Sequence, residues 1–293
     1  MVLDSQFTVG IGGRSVEVHC LNREARALVV FLFADLFVED GGEPIKRYEI
    51  GVDSSMQAAL LTVDGSVLLE GGTVYRQAYC LMNEILEQCI IDNDRHHAVH
   101  AAAVSLGSTC LVLPGTSGAG KSTLTAWLVS RGFSYLTDEL VMLDDQRVIA
   151  FTRPINLKKM VPFLAPLAGR CRDLLVQARE GIMIPHRLLG GNRISPDAIE
   201  PRVTHFIFPR FQAGESPGLQ EISAAQSCLQ LMQCHVNARN LEKLGIPSLA
   251  RVIRNCRSFS LTYGDTADLE QFFGERQRQQ LFGRAGHGEP PGP

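Results

Sequence analysis

The strongest chemical motif of the chain is a glycine-rich run that ends in lysine and serine. It fits the pattern G-x-x-x-x-G-K-[ST] at every position, and an apolar run at 110–113 precedes it. In such a loop the glycines let backbone N–H groups converge on phosphate oxygens, the lysine reaches the terminal phosphates and the serine hydroxyl faces Mg²⁺. We therefore expect ATP and Mg²⁺ to bind at Gly115, Thr116, Ser117, Gly118, Ala119, Gly120, Lys121, Ser122 and the following Thr123.

An acidic pair, Asp138 and Glu139, follows the motif after one predicted helix and one predicted strand. A phosphotransferase must orient an attacking hydroxyl and hold Mg²⁺ against the phosphates, and adjacent carboxylates can divide that work. We predict that Asp138 is the general base and that Glu139, with Ser122, faces the metal. A rival pair, Asp144 and Asp145, is more typical of a solvated hairpin turn.

His100 lies on the strand before the phosphate-binding loop. Antiparallel pairing of the strands at 100–104 and 109–114 would return it to the side of the loop, where it could bond Asp138 or a phosphate oxygen. A structural role for His100 remains equally open. His96 and His97 suggest a metal site, but no Cys or carboxylate completes a ligand set at a familiar spacing.

The densest basic stretch of this half covers residues 153–159 and contains Arg153 and Lys158. Either side chain could stabilise charge on the transferred phosphoryl group or bind an acidic acceptor, and a solvated surface role stays open for each. Another segment, 181–187, could close over the acceptor with His186 and Arg187.

Elements that would position these residues can be read from the apolar periodicity. Residues 1–95 are predicted to form a small α/β domain that ends in a helix at 73–91. Residues 96–275 would be the catalytic domain, with the loop helix at 121–131, and residues 276–293 a disordered tail. The other predicted elements are strands at 14–20, 46–52, 134–136, 140–143, 148–152, 204–211 and 258–263 and helices at 224–236, 241–253 and 267–273.

Composition narrows the functional class. The 293 residues carry a formal charge of −3, and 45% of them are apolar. This balance argues against general nucleic-acid binding, and no apolar run is long enough to cross a membrane. The chain shows no secretory signal and no disulfide framework, so we expect a cytoplasmic protein.

Three segments together resemble the HPr kinase/phosphorylase family and its HPr-kinase-related members. They are HAAAV at 100–104, GTSGAGKSTLTAWLVSRGF at 115–133 and LTDELV at 136–141. The resemblance implies a phosphoenolpyruvate-carboxykinase-like P-loop fold with a bent mixed sheet, and a serine hydroxyl as phosphoryl acceptor. It departs from the family at Ala101, Thr123 and Glu139, so phosphorolysis and HPr itself as substrate are not carried over.

Three functions stay open on the sequence. The first is a kinase for a serine of a peptide or small protein, and a PqqD-like peptide chaperone is the partner that the resemblance suggests. The second is a small-metabolite kinase, which a closed pocket of a few hundred Å³ would favour. The third is a nucleotide-responsive binding module. Homo-oligomerisation is compatible with the resemblance.

Overall fold

The computed structural model describes residues 5–39, 41–53, 59–171, 175–190 and 201–273. The chain has a mixed α/β fold built on three sheets. No helix in these ranges combines the length and apolar character needed to span a bilayer. The predicted tail at 276–293 lies outside the described residues.

The first sheet has five strands in sequence order. Strands β2 and β3 pair in parallel because helix α1 connects them, whereas the other neighbours are antiparallel. Asn22 caps α1 and Thr73 caps α2, each by accepting a hydrogen bond from a backbone N–H of the first turn. The elements are β1 (Gln6–Ile11), β2 (Arg14–Cys20), α1 (Arg23–Phe33), β3 (Arg47–Val52), β4 (Ala59–Val63), β5 (Ser66–Glu70) and α2 (Val74–Ile90).

The second sheet carries the candidate phosphate-binding loop, residues 115–122. Its strand order is β10-β9-β6-β7-β14-β16-β15, with β8 paired to β6, and the pairs β7–β14 and β14–β16 are parallel. The strands are β6 (His97–Leu106), β7 (Thr109–Pro114), β8 (Ser134–Thr137), β9 (Leu140–Asp144), β10 (Arg147–Ile149), β14 (His205–Phe211), β15 (Gly218–Glu221) and β16 (Arg257–Tyr263).

A third, three-stranded sheet shares a buried apolar cluster with the helix at 121–130. Its order is β11-β13-β12, and all its pairs are antiparallel. These strands and the remaining helices are β11 (Ile155–Leu157), β12 (Val176–Ala178), β13 (Gly181–Ile184), α3 (Lys121–Ser130), α4 (Ala165–Arg170), α5 (Ala224–Gln233), α6 (Ile246–Arg254) and α7 (Thr266–Phe272).

Strand β6 brings the candidate catalytic residues together. On one edge it pairs with β7, which sets Ala101 opposite Pro114, and the backbone N–H of Gly115 donates to the His100 carbonyl at 3.4 Å. On its other edge the register sets His100 opposite Leu140, directly after Glu139. His100 therefore lies between the phosphate-binding loop and the acidic pair.

The two predicted domains share one hydrophobic core. Ala98, Leu140, Met142, Phe151 and Met183 pack in the same buried cluster as the apolar faces of α1, α2 and the first sheet. The Tyr75 hydroxyl also donates to Asn156 Oδ1 at 2.9 Å. The described residues of the predicted N-terminal domain therefore pack against the predicted catalytic domain, near Leu140, which follows the acidic pair.

The helix predicted at 241–253 is shorter than expected. Residues 238–245 form two 3₁₀ turns, and α6 begins only at Ile246. Lys243, Leu244 and Gly245 have positive φ angles, which an α-helix cannot contain, and Pro247 suits only a first helical turn. The helical spacing of the leucines gave no sign of this break.

Because two histidines are buried, we expect the fold to lose stability in acid. Burial lowers the pKa of His97 to about 4, with a further effect of His235, and burial with the charge of Arg257 lowers that of His205 to about 4. On unfolding, both pKa values return to about 6.5. Between pH values of about 4 and 6.5 the unfolded state therefore binds more protons than the folded state, and the stability of the fold decreases as the pH falls. We expect a loss on the order of 1–2 kcal/mol per histidine at pH 5.

Urea unfolding of the wild type and of His97→Asn at pH 7 and pH 5 measures this loss. The wild type should lose more unfolding free energy on acidification than the variant. Equal losses would show that His97 does not resist protonation in the folded state.

Candidate active site

The phosphate-binding loop requires glycine at two positions. Gly118 and Gly120 have φ angles of +90° and +94°, which side chains other than glycine rarely adopt. A Cβ on Gly120 would also lie 2.2 Å from Tyr263 Oη, whereas one on Gly118 would meet nothing within 4 Å. The loop is therefore packed from behind at Gly120 and open at Gly118.

The ends of two strands hold this loop in place. The Tyr263 hydroxyl at the end of β16 donates to the Gly120 carbonyl at 2.8 Å, and the Phe211 N–H at the end of β14 donates to the Ala119 carbonyl at 3.1 Å. Neither residue could be predicted from the sequence, because only the parallel pairing of β14 and β16 brings them to the loop.

Lys121 is folded back over the loop. Its side chain is buried, and Nζ donates to the carbonyls of Gly115 at 2.6 Å and Thr116 at 3.1 Å. Burial lowers the pKa of Lys121, while the charges of Glu139 and Asp138 oppose this shift. The ammonium group thus lies in the field of both carboxylates.

The N-terminus of α3 is open to an anion. Its cap residue is Gly120, and no side chain caps the helix, so the backbone N–H groups of the first turn, which includes Ser122 and Thr123, have no cap acceptor. Lys158 adds a second cation, because its Nζ donates to Ser117 Oγ at 3.0 Å. The loop therefore fits the phosphates of a nucleotide.

Asp138 is not placed to contact a substrate. Its side chain has no exposed surface, Oδ1 accepts from the Tyr135 hydroxyl at 3.0 Å and from Arg153 Nε at 3.2 Å, and Oδ2 accepts from the Asn156 N–H at 3.2 Å. Burial raises the pKa of Asp138, although the Arg153 charge opposes this shift. This arrangement does not support the predicted role of direct general base, because the carboxylate offers a substrate hydroxyl no exposed surface.

Arg153 joins the two carboxylates. Its guanidinium is 1% exposed, with Nε on Asp138 and Nη2 on Glu139 Oε2, both at 3.2 Å. The charges of both carboxylates raise the pKa of Arg153 against the effect of burial. Arg153 was expected to contact the transferred phosphoryl group or an acidic acceptor, but in this structure it forms an internal ion pair, whereas Lys158 lies at the loop.

Glu139 is the accessible carboxylate of the pair, and His100 is its partner. The Glu139 side chain is 39% exposed, and His100 Nε2 lies 3.1 Å from Glu139 Oε1. Burial would raise the pKa of Glu139, but the hydrogen bond from His100 and the charges of Arg153, His100 and Lys121 lower it to about 2. The sequence left Asp138 or a phosphate oxygen open as the partner of His100, and in this structure the register of β6 and β9 directs the side chain to Glu139 instead of Asp138.

A cavity of about 460 Å³ opens beside this pair. His100, Glu139 and Leu140 form one wall, and α2 and the segment 236–240 form the others. The segment 181–187 does not line it. His186 instead stacks on Tyr135 and lies 3.5 Å from Asp35 in the first half of the chain.

A divalent metal would find few protein ligands here. Within the described ranges no group of three His, Cys, Asp or Glu side chains could hold a metal ion. Mg²⁺ usually takes one or two protein ligands and completes its shell with phosphates and water, so a set as small as Ser122 and Glu139 would be sufficient in number. Asp144 and Asp145 lie at the β9–β10 turn, where Asp145 pairs with Arg202 at 3.8 Å.

The Asp138→Asn substitution should destabilise the fold. It removes one of the two carboxylates that neutralise a buried guanidinium, which costs on the order of 3 kcal/mol. Urea unfolding of this variant should show that loss, and the exposed Asp144→Asn should change the unfolding free energy by about 0.5 kcal/mol or less. Equal stabilities would mean that the Arg153–Asp138 contact does not hold in solution.

Comparison with known proteins gives no relative for this site. No protein-family model matches the chain, and no curated protein is significantly similar to it.

Proposed function

We propose that the protein is an ATP-dependent phosphotransferase of the HPr-kinase-like type, acting in the cytoplasm on a hydroxyl group. The observation that carries this proposal is the meeting of the phosphate-binding loop with the His100–Glu139 pair on adjacent strands. A strand, a glycine-rich loop and an uncapped helix form the anion site, and an accessible proton-accepting pair lies beside it.

The loop would bind the polyphosphate. The first-turn N–H groups of α3 and the Lys121 and Lys158 ammonium groups would contact phosphate oxygens, and Lys121 would exchange its bonds to loop carbonyls for bonds to phosphate. Ser122 and, through water, Glu139 would hold Mg²⁺, which when bound neutralises phosphate charge.

Proton transfer would use His100. Its Nε2 is bonded to Glu139, which orients the ring and leaves Nδ1 as the proton acceptor. The acceptor oxygen would attack the γ-phosphorus, the bond to the β,γ-bridging oxygen would break, and the hydroxyl proton would pass to Nδ1. Asp138 would act as a positioning residue, because it holds Arg153, which in turn holds Glu139.

Two acceptor classes follow from different observations. The resemblance implies a serine of a peptide or small protein. The cavity of about 460 Å³ favours a small acceptor, because cavities of about 300–1,000 Å³ are typical of small-ligand sites.

Transfer of label from γ-labelled ATP tests the proposal. The full chain is incubated with ATP, Mg²⁺ and either a serine-containing decapeptide or small hydroxyl compounds, and the products are identified by mass spectrometry. We expect phosphorylated acceptor with Mg²⁺ and none after EDTA treatment. If the chain neither binds nor consumes ATP, the proposal is wrong.

A further inference from the structure

The cavity beside His100 is shared between the two halves of the chain. One face of α2 lines it with residues at helical spacing, namely Asn83, Leu86, Glu87 and Ile90, and Ile91 continues this wall. Because His100 and Glu139 also line the cavity, a hydroxyl bound there can lie beside the groups that would take its proton.

The walls of the cavity are locked by hydrogen bonds. The buried Asn237 side chain donates to the carbonyls of Asn93 at 2.8 Å and His96 at 2.9 Å, and it accepts from the Ala98 N–H at 2.8 Å. Asn240 Nδ2 donates to the Ile91 carbonyl at 2.8 Å. These bonds hold the segment 236–240 against the end of α2, so the cavity exists before a ligand binds.

Two opposite charges at the cavity are left for a ligand. Glu87 on α2 and Arg239 on the facing segment both line it, and neither side chain forms an ion pair with another residue in the described part of the chain. The lining also includes the aliphatic residues Leu86, Ile90 and Leu140, together with asparagine side chains. This combination suits a zwitterion with an apolar portion.

From this arrangement we infer that the cavity is the acceptor site and that it takes a hydroxylated zwitterion of amino-acid to dipeptide size. The ligand carboxylate binds Arg239, its ammonium group binds Glu87, its aliphatic part packs on Leu86 and Ile90, and its hydroxyl faces His100. The inference rests on the proposed function and gives α2 a role in substrate selection.

The dipeptide L-seryl-L-leucine is the probe that tests this inference, together with its C-terminal amide, its N-acetyl form and a serine-containing decapeptide. Phosphorylation by the full chain is measured for each, and the affinity for Mg·ATP is measured by calorimetry. The wild type should phosphorylate the dipeptide. The KM for the amide and the KM for the N-acetyl form should each be roughly 10- to 100-fold higher than the KM for the dipeptide, since each modified form loses a charge-assisted hydrogen bond.

Arg239→Gln should have the same effect on KM as the C-terminal amide, and Glu87→Gln the same effect as N-acetylation. Arg239→Gln should raise KM for the dipeptide to that of the amide with wild type, and it should no longer distinguish acid from amide. Glu87→Gln should raise KM for the dipeptide to that of the N-acetyl form with wild type, and it should no longer distinguish the free amine from the acetylated one. Arg251→Gln, an exposed arginine on α6 outside the cavity, is the matched control and should leave KM unchanged.

Several outcomes would overturn the inference. They are equal use of acid and amide by the wild type, equal effects of Arg239→Gln and Arg251→Gln, and phosphorylation of the decapeptide but not of the dipeptide. In each case intact Mg·ATP binding would leave the proposed function standing, whereas a chain that binds no Mg·ATP would remove both.

Discussion

The Lys121→Met variant is expected to lose phosphoryl transfer by about 10²- to 10³-fold in kcat. Methionine has similar length and fills the buried space beside the loop, but it carries no charge and donates no hydrogen bond. The lost ammonium group is the one that would stabilise the charge that develops on the transferred phosphoryl group. The measurement is initial-rate formation of phosphorylated acceptor at saturating Mg·ATP.

Lys159→Met is the matched control for this loss. Lys159 is exposed and close in sequence to Lys158, but no hydrogen bond or ion pair ties it to the loop. Its replacement should leave kcat within about two-fold, since surface substitutions of this kind have small effects. If Lys121→Met transfers phosphate as fast as the Lys159 variant, the loop does not bind the reacting phosphates.

Glu139→Gln should lower kcat by on the order of 10²- to 10⁴-fold, because without the Glu139 carboxylate His100 is no longer held in place as the general base. Glutamine keeps the length of the side chain but removes the charge that bonds His100 and Arg153 and that would face Mg²⁺. His100 would lose the partner that sets its tautomer and ring orientation. Initial rates with a phosphorylated-product readout measure the effect.

Asp144→Asn distinguishes the two acidic pairs. Asp144 is exposed at the end of β9, so its substitution should leave kcat unchanged. A large loss in Asp144→Asn together with an active Glu139→Gln would move the metal site to the second pair and contradict the present assignment. An inactive Glu139→Gln that still binds Mg·ATP with wild-type affinity would place the defect in the transfer step.

The local part of the site could be predicted from the sequence, because it depends on neighbours in the chain. The β7 strand, the loop and α3 are one continuous segment, and the hairpin of β6 and β7 brings His100 back to Gly115. The turn at Asp144 and Asp145 was also predicted from local residue types. Each of these features follows from apolar runs broken by glycine or polar residues.

The division of roles within the acidic pair could not be predicted, because it depends on burial. Asp138 and Glu139 are adjacent and chemically alike, but β8 directs one into the core toward Tyr135 and the other toward His100. Arg153 was predicted to contact the transferred phosphoryl group or an acidic acceptor, because it begins a basic stretch. Its burial against both carboxylates follows from tertiary packing that no local spacing records.

The cavity beside His100 could not be predicted either, because it depends on packing between distant segments. Its walls come from α2, from β6 and from residues 236–240, which are far apart in sequence and meet through Asn237 and Asn240. The third sheet was missed for a related reason, since its strands are only three or four residues long. Such short strands carry too little periodicity to identify.

A crystal structure of the full chain with Mg²⁺ and a non-hydrolysable ATP analogue tests the central claim most directly. We predict phosphates against the first-turn N–H groups of α3, Lys121 Nζ turned from the loop carbonyls onto phosphate oxygens, and the terminal phosphate facing His100 and Glu139. Nucleotide bound elsewhere, or a terminal phosphate directed away from that pair, would contradict the account.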